Sequence, residues 1–260
     1  MQLTILGSAA SWAGAGQACS GYLIEDEGTT VLLDCGSGTL ANAGEVTGVT
    51  SLDAVVISHA HPDHCVDLYQ LYMALQFGAY GPVGDVPLHL PEGLWDKLAC
   101  LLSERSCEYF RAAFDLRTMA AGAPIEVEGI TLTPHAVDHE GPTFAFMIEA
   151  GGAKLGYTAD SRAGAAVLDA VRGCDVLLAD CTLPDTHAGT AAHMTAAECG
   201  SLARDAGAGM LILTHLWPEA DHDQMRRTAA SVFSGQVHLA ESLMTIEIPP
   251  VRSAGEGDGR

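Results

Sequence analysis

The chain has 260 residues, 48% of them hydrophobic, and a formal net charge of −21 at pH 7. That supports a sizeable core, but only two lysines, Lys97 and Lys154, are present, too little for the basic footprint of a nucleic-acid binder, so long RNA or DNA is disfavoured as a partner. No apolar run reaches the roughly eighteen residues of a membrane span, no basic and apolar leader precedes the first strand, and eight cysteines without a C-x-x-C pair read as reduced thiols of a cytoplasmic protein.

The chain opens on a strand pattern at about 2–6, followed by a small-residue loop from Gly7 to Gly21. Strands at about 20–25 and 29–34 follow, the second running into Asp34-Cys35-Gly36-Ser37-Gly38. Neither glycine cluster opens the strand–helix unit of a dinucleotide fingerprint or carries a P-loop lysine, so both read as tight turns. A strand at 54–58 precedes helical spacing at 65–77, a strand at 86–90, and helices at 92–101 and 104–113. Strands at 124–133, 143–149 and 153–157 come next. The chain then alternates helix 163–171, strand 175–180, helix 195–206, strand 209–214, helix 222–232 and strand 243–248. Strand groups with interspersed helices predict sheets flanked by helices. Residues 1–250 read as one domain and 251–260 as a polar, Gly-rich, disordered tail.

The most informative stretch is His59-Ala60-His61-Pro62-Asp63-His64, directly after the apolar run Ala54-Val55-Val56-Ile57. Each imidazole carries two polar nitrogens that need partners, so three histidines brought together only to pack are costly. Neutral imidazole is a good zinc ligand, and aspartate adds a hard oxygen. Three further residues occupy the same kind of place, beside an apolar strand at a turn. They are His139 before the strand Thr143 to Ile148, Asp160 after Gly156-Tyr157-Thr158, and His215 after Met210-Leu211-Ile212-Leu213-Thr214. Strand ends can converge on one rim, and together these residues supply a metal site.

An HxHxDH motif after a strand, a distant histidine, an aspartate after Gly-Tyr-Thr and a final Leu-Thr-His resemble the metallo-β-lactamase fold superfamily. Within it the chain is most similar to the ribonuclease-Z-like and small-nucleotide phosphodiesterase branch. Supporting stretches are Leu6-Gly7-Ser8, Ser20-Gly21-Tyr22-Leu23-Ile24, Leu32 to Gly38, Leu90-Pro91-Glu92-Gly93 and His193-Met194-Thr195-Ala196. The resemblance implies a four-layer αβ/βα sandwich with a two-metal site at one edge of its sheets. It assigns His59, His61 and His139 to one ion, Asp63, His64 and His215 to the other, and Asp160 to the bridge. The ions are two divalent metals, zinc favoured by the histidine-rich set, with manganese and iron as alternatives. It also implies a homodimer, with the helices near 92–113 as the candidate surface. Members that process transfer RNA grip it with a basic arm, and this chain has no Lys/Arg-rich insertion.

The expected reaction is hydrolysis of a small phosphodiester, with a cyclic nucleotide among the candidates, by a metal-activated water. Asp63 is both a ligand and a candidate for orienting the water. His193 is the candidate for giving the leaving group its proton or for hydrogen-bonding the phosphoryl oxygen, since it precedes Thr195-Ala196-Ala197-Glu198, a capping box that starts a helix. A carboxylic ester, lactone, thioester or lactam is the alternative substrate, and a transfer-RNA endonuclease or a non-catalytic metal binder the remoter ones. Asp34 reads equally as the hydrogen-bond partner of a ligand histidine or a turn former. His135 reads as a neighbour of the site or a buried structural residue, Arg162 as a surface or phosphate-touching residue, and His89, His187, His222 and His238 as surface or packing residues. Tyr72, Phe77 and Tyr80 are either core or an aromatic wall for a base.

Overall fold

The computed structural model describes residues 1–79 and 81–250. Its first half runs β1 (Gln2–Gly7), β2 (Gly21–Asp26), β3 (Thr29–Cys35), α1 (Thr39–Val46), β4 (Ala54–Val56), α2 (Pro62–Cys65), α3 (Leu68–Phe77), β5 (Val86–Leu90), α4 (Leu94–Ala99), α5 (Glu104–Ala113) and β6 (Phe114–Thr118). The second half runs β7 (Ile125–Val127), β8 (Ile130–Ala136), β9 (Phe144–Ala150), β10 (Ala153–Tyr157), α6 (Ala165–Val171), β11 (Val176–Asp180), α7 (Ala196–Ala206), β12 (Met210–Thr214), α8 (His222–Val232), β13 (Gln236–Leu239) and β14 (Thr245–Glu247). Two seven-stranded sheets result, ordered β14-β1-β2-β3-β4-β5-β6 and β13-β12-β11-β10-β9-β8-β7.

Three apolar clusters make four layers of these elements. Alternate side chains of β1 to β4, such as Ile5, Ile24, Val31 and Leu33, meet Leu132, Phe146, Ile148 and Leu178 of the other sheet. The opposite faces carry Leu23, Leu32 and Val55 against the helical residues Leu68, Leu71 and Phe110, and Leu177, Leu211 and Leu213 against Val171, Leu202 and Met225. A strand buried on both faces has no polar side to alternate with, which is why these strands read as nearly continuous apolar runs. The arrangement is the expected αβ/βα sandwich. All eight cysteines are free thiols. Among the described residues no helix is long and apolar enough to cross a membrane.

Parallel pairing places the functional edge. β3, β4 and β5 are parallel neighbours in one sheet, and β10, β11, β12 and β13 in the other. Loops leaving the carboxyl ends of parallel strands gather on one side, where open α/β sheets bind ligands.

Several elements differ from expectation for local reasons. The run expected at 124–133 is the hairpin β7–β8, turned at Glu128 and Gly129 with φ of 39° and 100°. The helix expected at 65–77 begins earlier, at Pro62, and is divided into α2 and α3 around Asp67, whose carboxylate accepts from Gly38 N and Leu40 N. Helix α1 was not expected: it buries only Thr39 and Ala43 and so has no apolar stripe to read. Edge strands β6 and β13 were also not expected, being mostly exposed or half-buried. Of the aromatic residues named above, Tyr72 is buried against Phe110, while Phe77 is 55% exposed and meets Tyr109. Tyr80 and the tail expected at 251–260 lie outside the described residues.

Gly36 sits where β3 meets the His59–His64 loop. Its amide donates to the Ser20 carbonyl at 2.9 Å, and a methyl group in place of its hydrogen would run into the Asp63 carbonyl. Both obstacles are backbone, so neither can swing aside. Gly36→Ala is expected to destabilise the metal-free protein by about 3 kcal/mol, the upper range for overpacking. Urea unfolding with a chelator present measures it, and a wild-type midpoint would refute the close approach.

Candidate metal centre

All seven predicted ligands reach one rim. Ligand atoms of His59, His61, His139 and Asp160 lie within 4.8 Å of one another, as do those of Asp63, His64 and His215. The Asp160 carboxylate stands between the two sets. Its Oδ1 is 3.3 Å from His64 Nε2, and its Oδ2 is 3.4 Å from His59 Nε2 and 3.7 Å from His139 Nε2. The same Oδ2 is 3.4 Å from His215 Nε2. Asp63 Oδ2 accepts from Ser11 N at 2.7 Å and lies 3.2 Å from His215 Nε2.

Each buried histidine is held from behind by its other nitrogen, which frees one nitrogen to face the cluster. His64 Nδ1 donates to Asp34 Oδ2 at 2.8 Å. His59 Nδ1 is 3.0 Å from Ser58 Oγ, which itself donates to Asp34 at 2.8 Å. His139 Nδ1 donates to the Ala192 carbonyl at 3.0 Å, and His215 Nδ1 lies 2.6 Å from Thr182 Oγ. A carbonyl only accepts, so the His139 proton is on Nδ1 and its Nε2 is bare. That bare nitrogen lies 3.2 Å from His61 Nδ1.

The donor set fits a cation. Three buried atoms aimed at the centre, His59 Nε2, His64 Nε2 and Asp160 Oδ2, have no hydrogen-bond partner among the described residues. Buried polar atoms are seldom left so. Imidazole nitrogens with carboxylate oxygens suit divalent metals, and outer partners that fix the tautomer are the usual accompaniment.

Electrostatics point the same way. Burial, reinforced by the neighbouring His64 charge, pulls His59 down to about 4. Burial also acts to lower His64 and His215, but carboxylates overcome it. Asp160 and Asp34 lift His64 well above its ordinary value, and Asp160, Asp180 and Asp63 lift His215 to about 10. Burial acts to raise Asp160, and the surrounding histidines hold it well below the carboxylate range instead. Without metal, protons occupy the centre.

Backbone strain accompanies the site. Asp34, Ala159 and His215 have φ of 58°, 48° and 55°. Such left-handed positions cost non-glycine residues on the order of 1 kcal/mol or more each and persist where surrounding structure overrides them. Here they turn strand ends sharply enough to aim side chains at the rim.

His193 lies beside the ligands. Its ring stacks on His215 with centroids 5.4 Å apart and lies 5.0 Å from His139. Its Nδ1 bonds Asp180 Oδ2 at 2.9 Å, and that bond raises its pKa against the pull of burial. The capping box after it is formed. Sequence reasoning missed Asp180, which is 1% exposed and also accepts from Thr182 Oγ at 2.7 Å. The signal was available, since Asp180 ends an apolar strand as the other site residues flank theirs. Asp34 takes the first of its two readings, partner to a ligand histidine. Arg162 is engaged with Asp138 Oδ2 at 3.3 Å and the Gly189 carbonyl at 3.2 Å, so it ties together the loops that carry His139 and His193. His89, His135, His187, His222 and His238 belong to none of the ligand-type clusters found among the described residues.

Comparison with known proteins gives the family. The family described as "Beta-lactamase superfamily domain" matches residues 29–216. The "Probable metallo-hydrolase YhfI" of Bacillus subtilis is 31% identical over 248 residues, covering 93% of this chain and 98% of that protein. The crystal structure of YhfI superposes with a TM-score of 0.85 at 30% identity, covering 95% of this chain and 99% of that one. A "Ribonuclease Z" of Kineococcus radiotolerans is 27% identical, with 97% of each chain covered. A solved "New Diphosphatase from the PhnP Family" shares the fold, with a TM-score of 0.72 at 22% identity over 96% of this chain and 98% of that one.

The raised histidines carry a test of the donor set. A group held to about 10 keeps its proton at pH 7.5, and a ligand nitrogen must give that proton up to bind metal. Zinc binding at pH 7.5 is therefore expected to release protons, the His215 proton among them, and to weaken as pH falls. Calorimetry in buffers of different ionisation enthalpy counts them. A heat independent of the buffer would contradict the assignment.

Proposed function

The chain belongs to the beta-lactamase superfamily of metallo-hydrolases, and from that premise we propose that it is a phosphodiesterase of small nucleotides working with two divalent ions. The observation that carries this reading is the hydrogen-bonded His193–Asp180 pair next to two predicted ligand sets with Asp160 between them. One set is His59, His61 and His139, the other Asp63, His64 and His215. Divalent ions held there, zinc favoured, would make water nucleophilic near neutral pH and offset phosphoryl charge. Relatives and neighbours named ribonuclease Z and diphosphatase support a phosphoester over a carbonyl substrate. The charge of −21 supports a small substrate over a long nucleic acid.

The chain's own groups have separable tasks. Asp63, fixed by the Ser11 amide, orients the attacking water. Asp34 and Asp180, with Ser58 and Thr182, keep the histidine rings turned so that bare nitrogens face inward. His193 gives a proton from Nε2 to the departing alcohol oxygen. Asp180 on Nδ1 favours the charged imidazole and so keeps that proton available, as a general acid requires.

Bis(p-nitrophenyl) phosphate and a cyclic nucleotide, assayed beside a lactone and a cephalosporin, test the substrate class. Phosphodiester turnover that is lost on chelation and restored by zinc is expected. Rapid lactone or cephalosporin cleavage with silent phosphodiesters would defeat the reading. His193→Ala is expected to lower kcat by about a hundredfold or more, the scale of general-acid catalysis, with metal content unchanged by elemental analysis. Asp180→Asn removes the charge that raises the His193 pKa. Activity that needs protonated His193 is lost as pH rises through that pKa, so the alkaline limb of the kcat profile should move to lower pH. An unmoved limb would take the acid role from His193.

A further inference from the structure

The metal-binding rim does not end at His215. Asp160, Asp180 and His215 stand at the carboxyl ends of β10, β11 and β12, and β13 continues the same parallel series. Neighbouring strands are about 4.8 Å apart, so the end of β13 is the next position along the rim. A cavity of about 390 Å³ opens there, within the size range of small-molecule sites. Its walls include Leu216, which directly follows His215, and Glu241, two residues beyond β13.

The loop after β1 joins cavity and metal centre. Ala10 N donates to the Leu216 carbonyl and Leu216 N to the Ser8 carbonyl, at 3.0 and 2.8 Å. One residue further on, Ser11 N donates to Asp63 Oδ2. Ser8 and Gln17 from this loop line the cavity. A molecule with one end over the ligand cluster thus has a built space beside it for the other.

The chemistry of the walls says which end. No lysine or arginine is among the residues that line the cavity, and one acidic residue, Glu241, is. A negative wall repels phosphate and accepts from hydroxyl or amino groups. Glu241 uses its backbone carbonyl internally, accepting from Met244 N at 3.0 Å, and the residue is exposed. Gln17 Oε1 is taken by Gly14 N at 3.1 Å, which leaves its amide hydrogens to donate. His222 Nε2 is held by the Trp217 carbonyl at 2.8 Å, so its ring is a fixed wall.

We propose that this cavity is the nucleoside subsite, in which Glu241 accepts hydrogen bonds from the sugar hydroxyl or base amino groups of a substrate whose phosphate lies over the metal ligands. The proposal rests on the phosphodiesterase reading and adds the part of the substrate that distinguishes a nucleotide from any other phosphodiester.

Two probes with the same leaving group isolate it. These are thymidine 5′-(p-nitrophenyl phosphate), which has a nucleoside, and bis(p-nitrophenyl) phosphate, which has none. The zinc-loaded wild type should favour the thymidine ester through a lower KM. Glu241→Ala should cut the ratio of the two kcat/KM values about tenfold, the scale of one lost hydrogen bond to a charged group. Glu241→Gln, which still accepts, should restore part of it. Any general electrostatic effect of losing a negative charge acts on both probes and cancels in the ratio. A ratio unchanged by Glu241→Ala overturns the subsite and leaves the phosphodiesterase reading standing. Should neither ester be cleaved, that reading fails by itself, and calorimetry of adenosine monophosphate against inorganic phosphate decides the subsite. Tighter binding of the nucleotide, lost in Glu241→Ala, supports it, and equal affinity overturns it.

Discussion

One buried carboxylate holds this architecture and its site together. Asp34 has no solvent exposure and accepts four hydrogen bonds between 2.7 and 2.8 Å, from Ser58 N, Ser58 Oγ, His64 Nδ1 and Tyr157 OH. Ser58 follows β4 and Tyr157 ends β10, so the bonds cross from one sheet to the other. An unpaired charge at such depth would cost several kcal/mol. Four donors offset that cost, and each bond also fixes something the site needs. Through His64 and Ser58 the same carboxylate sets which nitrogens of two ligand histidines face inward. Sheet packing and ligand orientation therefore depend on one group.

Asp180 repeats the device on the far side of the centre. It serves His215 through Thr182 and His193 directly. The rim thus has two negative anchors behind it and Asp63 and Asp160 within it. Uncompensated, four carboxylates in so small a volume would repel one another. The histidines answer part of that charge with protons, and divalent ions answer it more fully. Raised histidines and a lowered Asp160 express one surplus of negative charge seen from its two sides.

The residues that gather at the rim were readable because strands buried on both faces are unbroken apolar runs, and a His or Asp at the end of such a run stands out. His59 to His64, His139, Asp160 and His215 all carried that contrast. Asp180 carried it too, but its strand looked complete without a role for the last residue. Serine and threonine partners such as Ser58 and Thr182 were invisible, because a hydroxyl in a turn has many local uses and only three-dimensional contact selects one. The αβ/βα layering followed from the motif resemblance. Helix α1 and edge strands β6 and β13 did not follow, since what holds them is adjacency to neighbours distant in sequence and no apolar period of their own.

The charge of the whole chain gives the site its character. With a formal charge of −21, the protein's field opposes a phosphate ester that comes within the screening distance, roughly 8 Å at physiological salt. Attraction must then come from the centre alone, at short range. Arg162 is bound to Asp138 and Gly189 and does not supply it. On the proposed assignment, the positive charge able to meet a phosphate is what the seven ligand positions would gather, beside His193, whose pKa the Asp180 contact raises against burial. Such a surface admits a molecule small enough to place its one phosphate at that point and its uncharged remainder along the acidic rim. A polyanion would lay many phosphates against carboxylates at once.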